Sequence, residues 1–119
     1  MTNNGAGGVA LHNHAPVPTI KLANNVITAN YIAGNGADTD VTTLSPGISL
    51  LGTTTATGTL ITLNQIEKES IDIVISNAAG GAVFAHLNNL IGRRSIGVDN
   101  LGAGAVDATE NWWGCARGP

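Results

Sequence analysis

Asn64-Gln65-Ile66 and Asn88-Asn89-Leu90 each set an asparagine after a short β-prone run, with a large apolar residue two places on. The same arrangement stands earlier as Asn30-Tyr31-Ile32 and later as Asn111-Trp112-Trp113. Successive asparagines are 34, 24 and 23 residues apart, the first interval lengthened by a polar loop over 36–46. A repeat of this length, made of short strands and turns without helical periodicity, predicts a β-solenoid.

A second series keeps step with the first. Gly8-Val9-Ala10-Leu11, Gly47-Ile48-Ser49-Leu50, Asp72-Ile73-Val74-Ile75 and Ser95-Ile96-Gly97-Val98 alternate apolar residues as strands do. From Val9, Ile48, Ile73 and Ile96 to the next asparagine of the first series is 21, 16, 15 and 15 residues. Four turns of a coil follow, each with at least two short strands, stacked at about 4.8 Å per turn. Alternation points Ile48/Leu50, Ile73/Ile75, Ile96/Val98 and Val9/Leu11 into one interior. The other strand of each turn then carries both remaining inward columns, Ile27-Ile61-Ala85-Ala108 and Ile32-Ile66-Leu90-Trp113. Asn30, Asn64, Asn88 and Asn111 then stack at the turns as a hydrogen-bonded ladder, a structural role.

Composition sets limits. The 119 residues suit one domain, 1–119, with a flexible or capping N-terminus over 1–8 and a C-terminal capping segment over 106–119. Charged residues are 11% of the chain, and sixteen glycines with few aromatics fit turn-rich β architecture. A net charge of −3 without a basic stripe gives no reason to expect nucleic acid. No apolar run is long enough to span a membrane. The opening Met1-Thr2-Asn3-Asn4-Gly5 is polar and does not read as a secretory leader.

The closing stretch Val106-Asp107-Ala108-Thr109-Glu110-Asn111-Trp112-Trp113-Gly114 resembles the end of bacterial right-handed parallel β-helix repeat proteins of the pectate-lyase-like superfamily. Gly97-Val98-Asp99-Asn100-Leu101-Gly102 and Gly8-Val9-Ala10-Leu11-His12-Asn13-His14-Ala15 resemble the same family, so the likeness runs over roughly 8–119. Asn-Trp-Trp-Gly is its most specific element. The resemblance implies a right-handed parallel β-helix of about four turns. It also implies an extracellular or cell-surface location, and a segment of a longer secreted chain. It implies no activity, because such folds carry lyases, hydrolases, epimerases and adhesins alike.

Candidate sites are few. Trp113, in the inward column on the last turn, reads as a cap over the core, and Trp112, with outward parity, as the residue free to touch a ligand. A sugar platform built by both is the alternative. His12 and His14 are spaced as a metal-ligand pair, against which His-Ala-Pro suggests that the strand simply ends. Asn35-Gly36-Ala37-Asp38-Thr39-Asp40 places the carboxylates of Asp38 and Asp40 near an amide, where Ca²⁺ or an ordinary Asx turn would account for them. No other cofactor is suggested. His86, a candidate binding residue unless its face is simply solvated, interrupts the outward polar column Thr28-Thr62-His86-Thr109, and Glu67-Lys68-Glu69 reads as a solvated charge run with Glu69 able to pair with Arg93. Cys115, the single cysteine, cannot form an intrachain disulfide.

Val26, Leu60 and Phe84 share an outward face as an apolar strip, to be covered by the chain's own loops or tail, or by a second copy. The expected partners are a second copy, side by side or end to end, and a polysaccharide. The function expected is a non-catalytic scaffold or adhesion surface. The alternative is a carbohydrate-active enzyme of the lyase or epimerase type. An ice-binding reading rests only on the threonine column and Thr53-Thr54-Thr55, and His86 breaks that column.

Overall fold

The computed structural model describes residues 1–4, 7–12, 20–36, 45–77, 81–92 and 96–116. Among them there is no helix. Eleven strands form parallel sheets: β1 (Val9–His12), β2 (Ile20–Ala23), β3 (Val26–Thr28), β4 (Tyr31–Ala33), β5 (Pro46–Thr62), β6 (Gln65–Glu67), β7 (Ile71–Asn77), β8 (Ala82–His86), β9 (Asn89–Ile91), β10 (Ile96–Asn100) and β11 (Ala105–Asp107).

Each strand pairs with its counterpart one repeat away, in three series. The first runs β1, the front of β5, β7, β10, with Val9 opposite Ile48 and Ile48 opposite Ile73. The second runs β2 and β3, the back of β5, β8, β11, with Ile27 opposite Ile61 and Ile61 opposite Ala85. The third is a separate sheet, β4-β6-β9, with Ile32 opposite Ile66 and Ile66 opposite Leu90. We call one strand from each series, in chain order, a row.

Alternation explains the core. Ile48, Leu50, Ile73 and Ile75 from the first series, Ile27, Ile61 and Ala85 from the second, and Ile32, Ile66 and Leu90 from the third pack in one buried cluster. β-branched residues suit this position because their restricted side chains stack well in parallel strands. Val9, Leu11, Val98 and Trp113 are half-buried against the cluster's two ends. Ile96, expected in the column of Ile48 and Ile73, pairs instead with Ile71 and is 50% exposed, and Val98 takes the place opposite Ile73.

Two differences from the sequence reading have a backbone cause. The inward columns Ile27-Ile61-Ala85 and Ile32-Ile66-Leu90 belong to different series, because a left-handed residue separates them in every row. Pro46 is the first residue of β5, a place where a missing N–H is tolerated, so the loop closes at Ser45. Residues 1–4 lie along β4. Thr2 bridges Ala33 in parallel, Ala33 N donates to Met1 O, and Gly36 N donates to Asn4 O.

Candidate binding face

The corners of the rows share one local rule. Ala29, Leu63, Leu87 and Glu110, each just before a ladder asparagine, have φ of 56°, 58°, 56° and 59°. A non-glycine residue in this region costs about 1–2 kcal/mol, so four in equivalent places need a shared compensation. The next side chain supplies it. Asn30 Nδ2 donates to Asn64 Oδ1 and Asn64 Nδ2 to Asn88 Oδ1, both at 3.0 Å, and Asn88 Nδ2 to Asn111 Oδ1 at 2.9 Å. Each Oδ1 also accepts the backbone N–H of the preceding asparagine in the file. The remaining amide protons satisfy carbonyls of the second series, Ile27 O for Asn64 and Ile61 O for Asn88.

Sequence reasoning missed a second file. Asn3, Gly34 and Lys68, with φ of 56°, 63° and 60°, precede Asn4, Asn35 and Glu69. Asn4 Nδ2 donates to Asn35 Oδ1 at 3.0 Å, and Asn35 Nδ2 to Glu69 Oε1 at 2.7 Å. The backbone N–H of Asn35 also donates to the Glu69 carboxylate. Glu69 is therefore buried, not part of a solvated charge run. Asn35, expected in a calcium-competent loop, has its Oδ1 engaged inside. The available signal was spacing: Asn35 follows Asn30, and Glu69 follows Asn64, by five residues. A third corner repeats the rule in brief, Asn24 and Gly58 preceding Asn25 and Thr59, whose side chains meet at 3.4 Å.

Asn64, Asn88, Asn35 and Glu69 of these files are buried, and the outward face of the third series lies beside them. Tyr31 pairs with Gln65, Gln65 with Asn89, and Asn89 bridges Trp112, so these four side chains form one outward column. Tyr31 and Trp112 are exposed. Beside the column a groove of ≈ 360 Å³ runs along the ladder corner, lined by Tyr31, Gln65, Asn89, Leu63 and Leu87. The left-handed turn brings Leu63 and Leu87 there by aiming their side chains outward, where both are exposed. The Tyr31 hydroxyl donates to Glu67 Oε1 in the next row. That bond raises the Tyr31 pKa and lowers that of Glu67, whose charge is further met by Lys68 Nζ at 3.6 Å.

The second series carries a smaller polar group. His86 Nδ1 lies 3.1 Å from Thr109 Oγ1, and its Nε2 lies 3.6 Å from Asp107 Oδ2, beyond hydrogen-bond length. Asp107 accepts the backbone N–H of Thr109 at 3.1 Å, which holds its carboxyl below the usual range, with further lowering from the Thr109 hydroxyl and His86. Phe84 stacks on His86 with ring centroids 6.1 Å apart. Thr28, Thr62 and His86 are in register, as are Val26, Leu60 and Phe84. Val26 and Phe84 are exposed and Leu60 is half-buried.

Of the remaining candidates, Asp38, Asp40, His14 and Arg93 lie outside the described residues, as do the side chains of His12 and Thr53–Thr55. Asp72 is 1% exposed, at a first-series position where Gly8, Gly47 and Gly97 stand in the other rows. A carboxylate enclosed this fully is closed to a polymeric substrate. Among the described residues no three His, Cys, Asp or Glu side chains gather to hold a metal. No helix among them is long and apolar enough to cross a membrane. No family model matches the chain, and neither a curated protein nor a solved structure shows significant similarity to it.

Proposed function

We propose that the chain is a right-handed parallel β-helix of about four turns, related to the pectate-lyase-like repeat proteins, and a non-catalytic scaffold or binding module of a secreted or cell-surface bacterial protein. The observation that carries this reading is the pair of internal side-chain files. Asn30-Asn64-Asn88-Asn111 and Asn4-Asn35-Glu69 tie each row to the next by side-chain hydrogen bonds. Satisfied buried networks of this kind rigidify a fold. Right-handedness is favoured because parallel strands joined by a crossover take that hand in about 98% of cases. A single cluster drawing inward residues from all three series supports closure.

The alternative is a polysaccharide lyase or epimerase. Incubation with polygalacturonate, with and without Ca²⁺, separates the two. The scaffold reading expects no unsaturated product in either condition. Calcium-dependent release of such product, lost in Asp38→Asn or Asp40→Asn, would replace it with the lyase.

A further inference from the structure

We propose that the column Tyr31-Gln65-Asn89-Trp112 is a binding strip for an uncharged, extended polysaccharide, laid along the row axis with one sugar residue per row. The inference rests on the scaffold reading and names its ligand. Pyranose rings offer apolar C–H faces and equatorial hydroxyls, so they are recognised by aromatic faces and planar amides together. Here two aromatic side chains end the column and two primary amides stand between them, one per row. Leu63 and Leu87 give the groove an apolar flank.

Spacing favours a sugar chain over a peptide. Parallel rows repeat at about 4.8 Å, close to the length of one pyranose residue in an extended β-linked chain. An extended peptide repeats its side chains on one face every ~6.6 Å and would fall out of phase within two rows. Peptides also bind sheets by adding to a free edge, whereas the backbone of β6 is paired on both sides, to β4 and to β9. Charge argues for a neutral ligand. The four side chains are uncharged, and the nearest acid, Glu67, is held by Tyr31 and Lys68. That hydrogen bond also fixes the phenol ring, so little of its freedom remains to be lost on binding.

The test is calorimetric titration of the full chain with cellohexaose, mannohexaose, xylohexaose, chitohexaose and hexagalacturonate, with panning of a displayed random heptapeptide library in parallel. At least one neutral hexasaccharide should bind and hexagalacturonate should not. Trp112→Ala and Tyr31→Ala should each weaken binding about tenfold, with Trp112→Phe largely restoring it, as expected for a lost stacking contact. All these side chains are outward, so far-ultraviolet circular dichroism should keep its β-sheet form in every variant. Failure of all four neutral sugars to bind would overturn the proposal, as would binding indifferent to the Tyr31→Ala/Trp112→Ala double variant. Enrichment of peptides that need Tyr31 and Trp112, with no sugar bound, would assign the strip to a peptide instead. A chain that neither binds nor cleaves sugars loses the strip and keeps the scaffold; one that cleaves polygalacturonate loses the scaffold.

Discussion

The indole of Trp113 fills the space that a side chain at residue 97 would need: a Cβ on Gly97 would stand 2.6 Å from its Cζ3 and 2.8 Å from its Cε3. The pairing recurs in two earlier rows and is interrupted where Asp72 takes the glycine's place. A Cβ on Gly8 would meet Ile32 Cγ2 at 2.7 Å, and one on Gly47 would meet Ile66 Cγ2 at 2.5 Å. A glycine in the first series thus makes room for a large residue of the third, and Trp113 extends the relation to the last row. Gly97→Ala should destabilise the chain by about 1–3 kcal/mol, the usual effect of overpacking. Urea unfolding measures the loss, and a red shift in tryptophan emission would show the displaced indole.

Asn88 and Asn89 are neighbours with opposite fates. The buried Asn88 side chain accepts from Asn64 and donates to Ile61 O, His86 O and Asn111 Oδ1. Asn88→Ala leaves several of these groups without a partner and should cost about 2–4 kcal/mol. Asn89→Ala, on the outward face, should change stability by no more than about 0.5 kcal/mol. Equal midpoints in urea would remove the ladder as a source of stability.

Glu69 ends the described part of the second file as an acceptor, and Asn35 donates to it from both backbone and side chain. Glu69→Gln keeps the length and one carbonyl oxygen, whereas Glu69→Ala removes every acceptor. The alanine variant should lose about 2–3 kcal/mol and the glutamine variant clearly less. Amide exchange at Asn35 offers a local check, faster in Glu69→Ala than in the parent.

Tyr31 is the only tyrosine in the chain, so phenolate absorbance reads it alone. Its hydrogen bond to Glu67 raises its pKa, and the titration midpoint should lie above the ordinary value near 10. Glu67→Gln should bring it back. The sign follows from linkage. A raised folded pKa contributes stability below the unfolded pKa and loses it as pH rises through the folded one. The lowered Glu67 pKa contributes above its unfolded value and is lost as pH falls through the folded one. The contact therefore persists between an acidic and an alkaline limit, and a normal midpoint in the parent would show it broken.

Val26, Leu60 and Phe84 stand in one outward file, and Val26 is 62% exposed. We propose that a second copy covers this strip, the chain's own loops or tail being the alternative. Phe84→Ser should lower the associated fraction in sedimentation velocity without altering the far-ultraviolet spectrum. A parent protein that stays monomeric at high concentration would assign the strip no such role.

Much of this architecture can be read along the chain. Two markers in phase predict parallel stacking, and the alternation Ile48/Leu50 and Ile73/Ile75 assigns inward faces, because side-chain direction in a strand is a local property with a period of two. The ladder asparagines are legible for the same reason: their spacing survives the loop that lengthens the first interval. Even Trp112 can be assigned outward from the parity of Trp113.

Tertiary structure decided the rest. Whether Ile27 and Ile32 share a strand depends on the left-handed turn at Ala29, a backbone choice that alanine does not advertise. Glu69 reads as solvated beside Glu67 and Lys68, and only the neighbouring row shows it buried against Asn35. The strip needed that stacking most of all. Tyr31 and Trp112 lie 81 residues apart in the chain and only three rows apart in the column, because parallel pairing converts sequence distance into about 4.8 Å per row. Period and parity are properties of single strands; burial of a charge and the company of a side chain are properties of the neighbouring row.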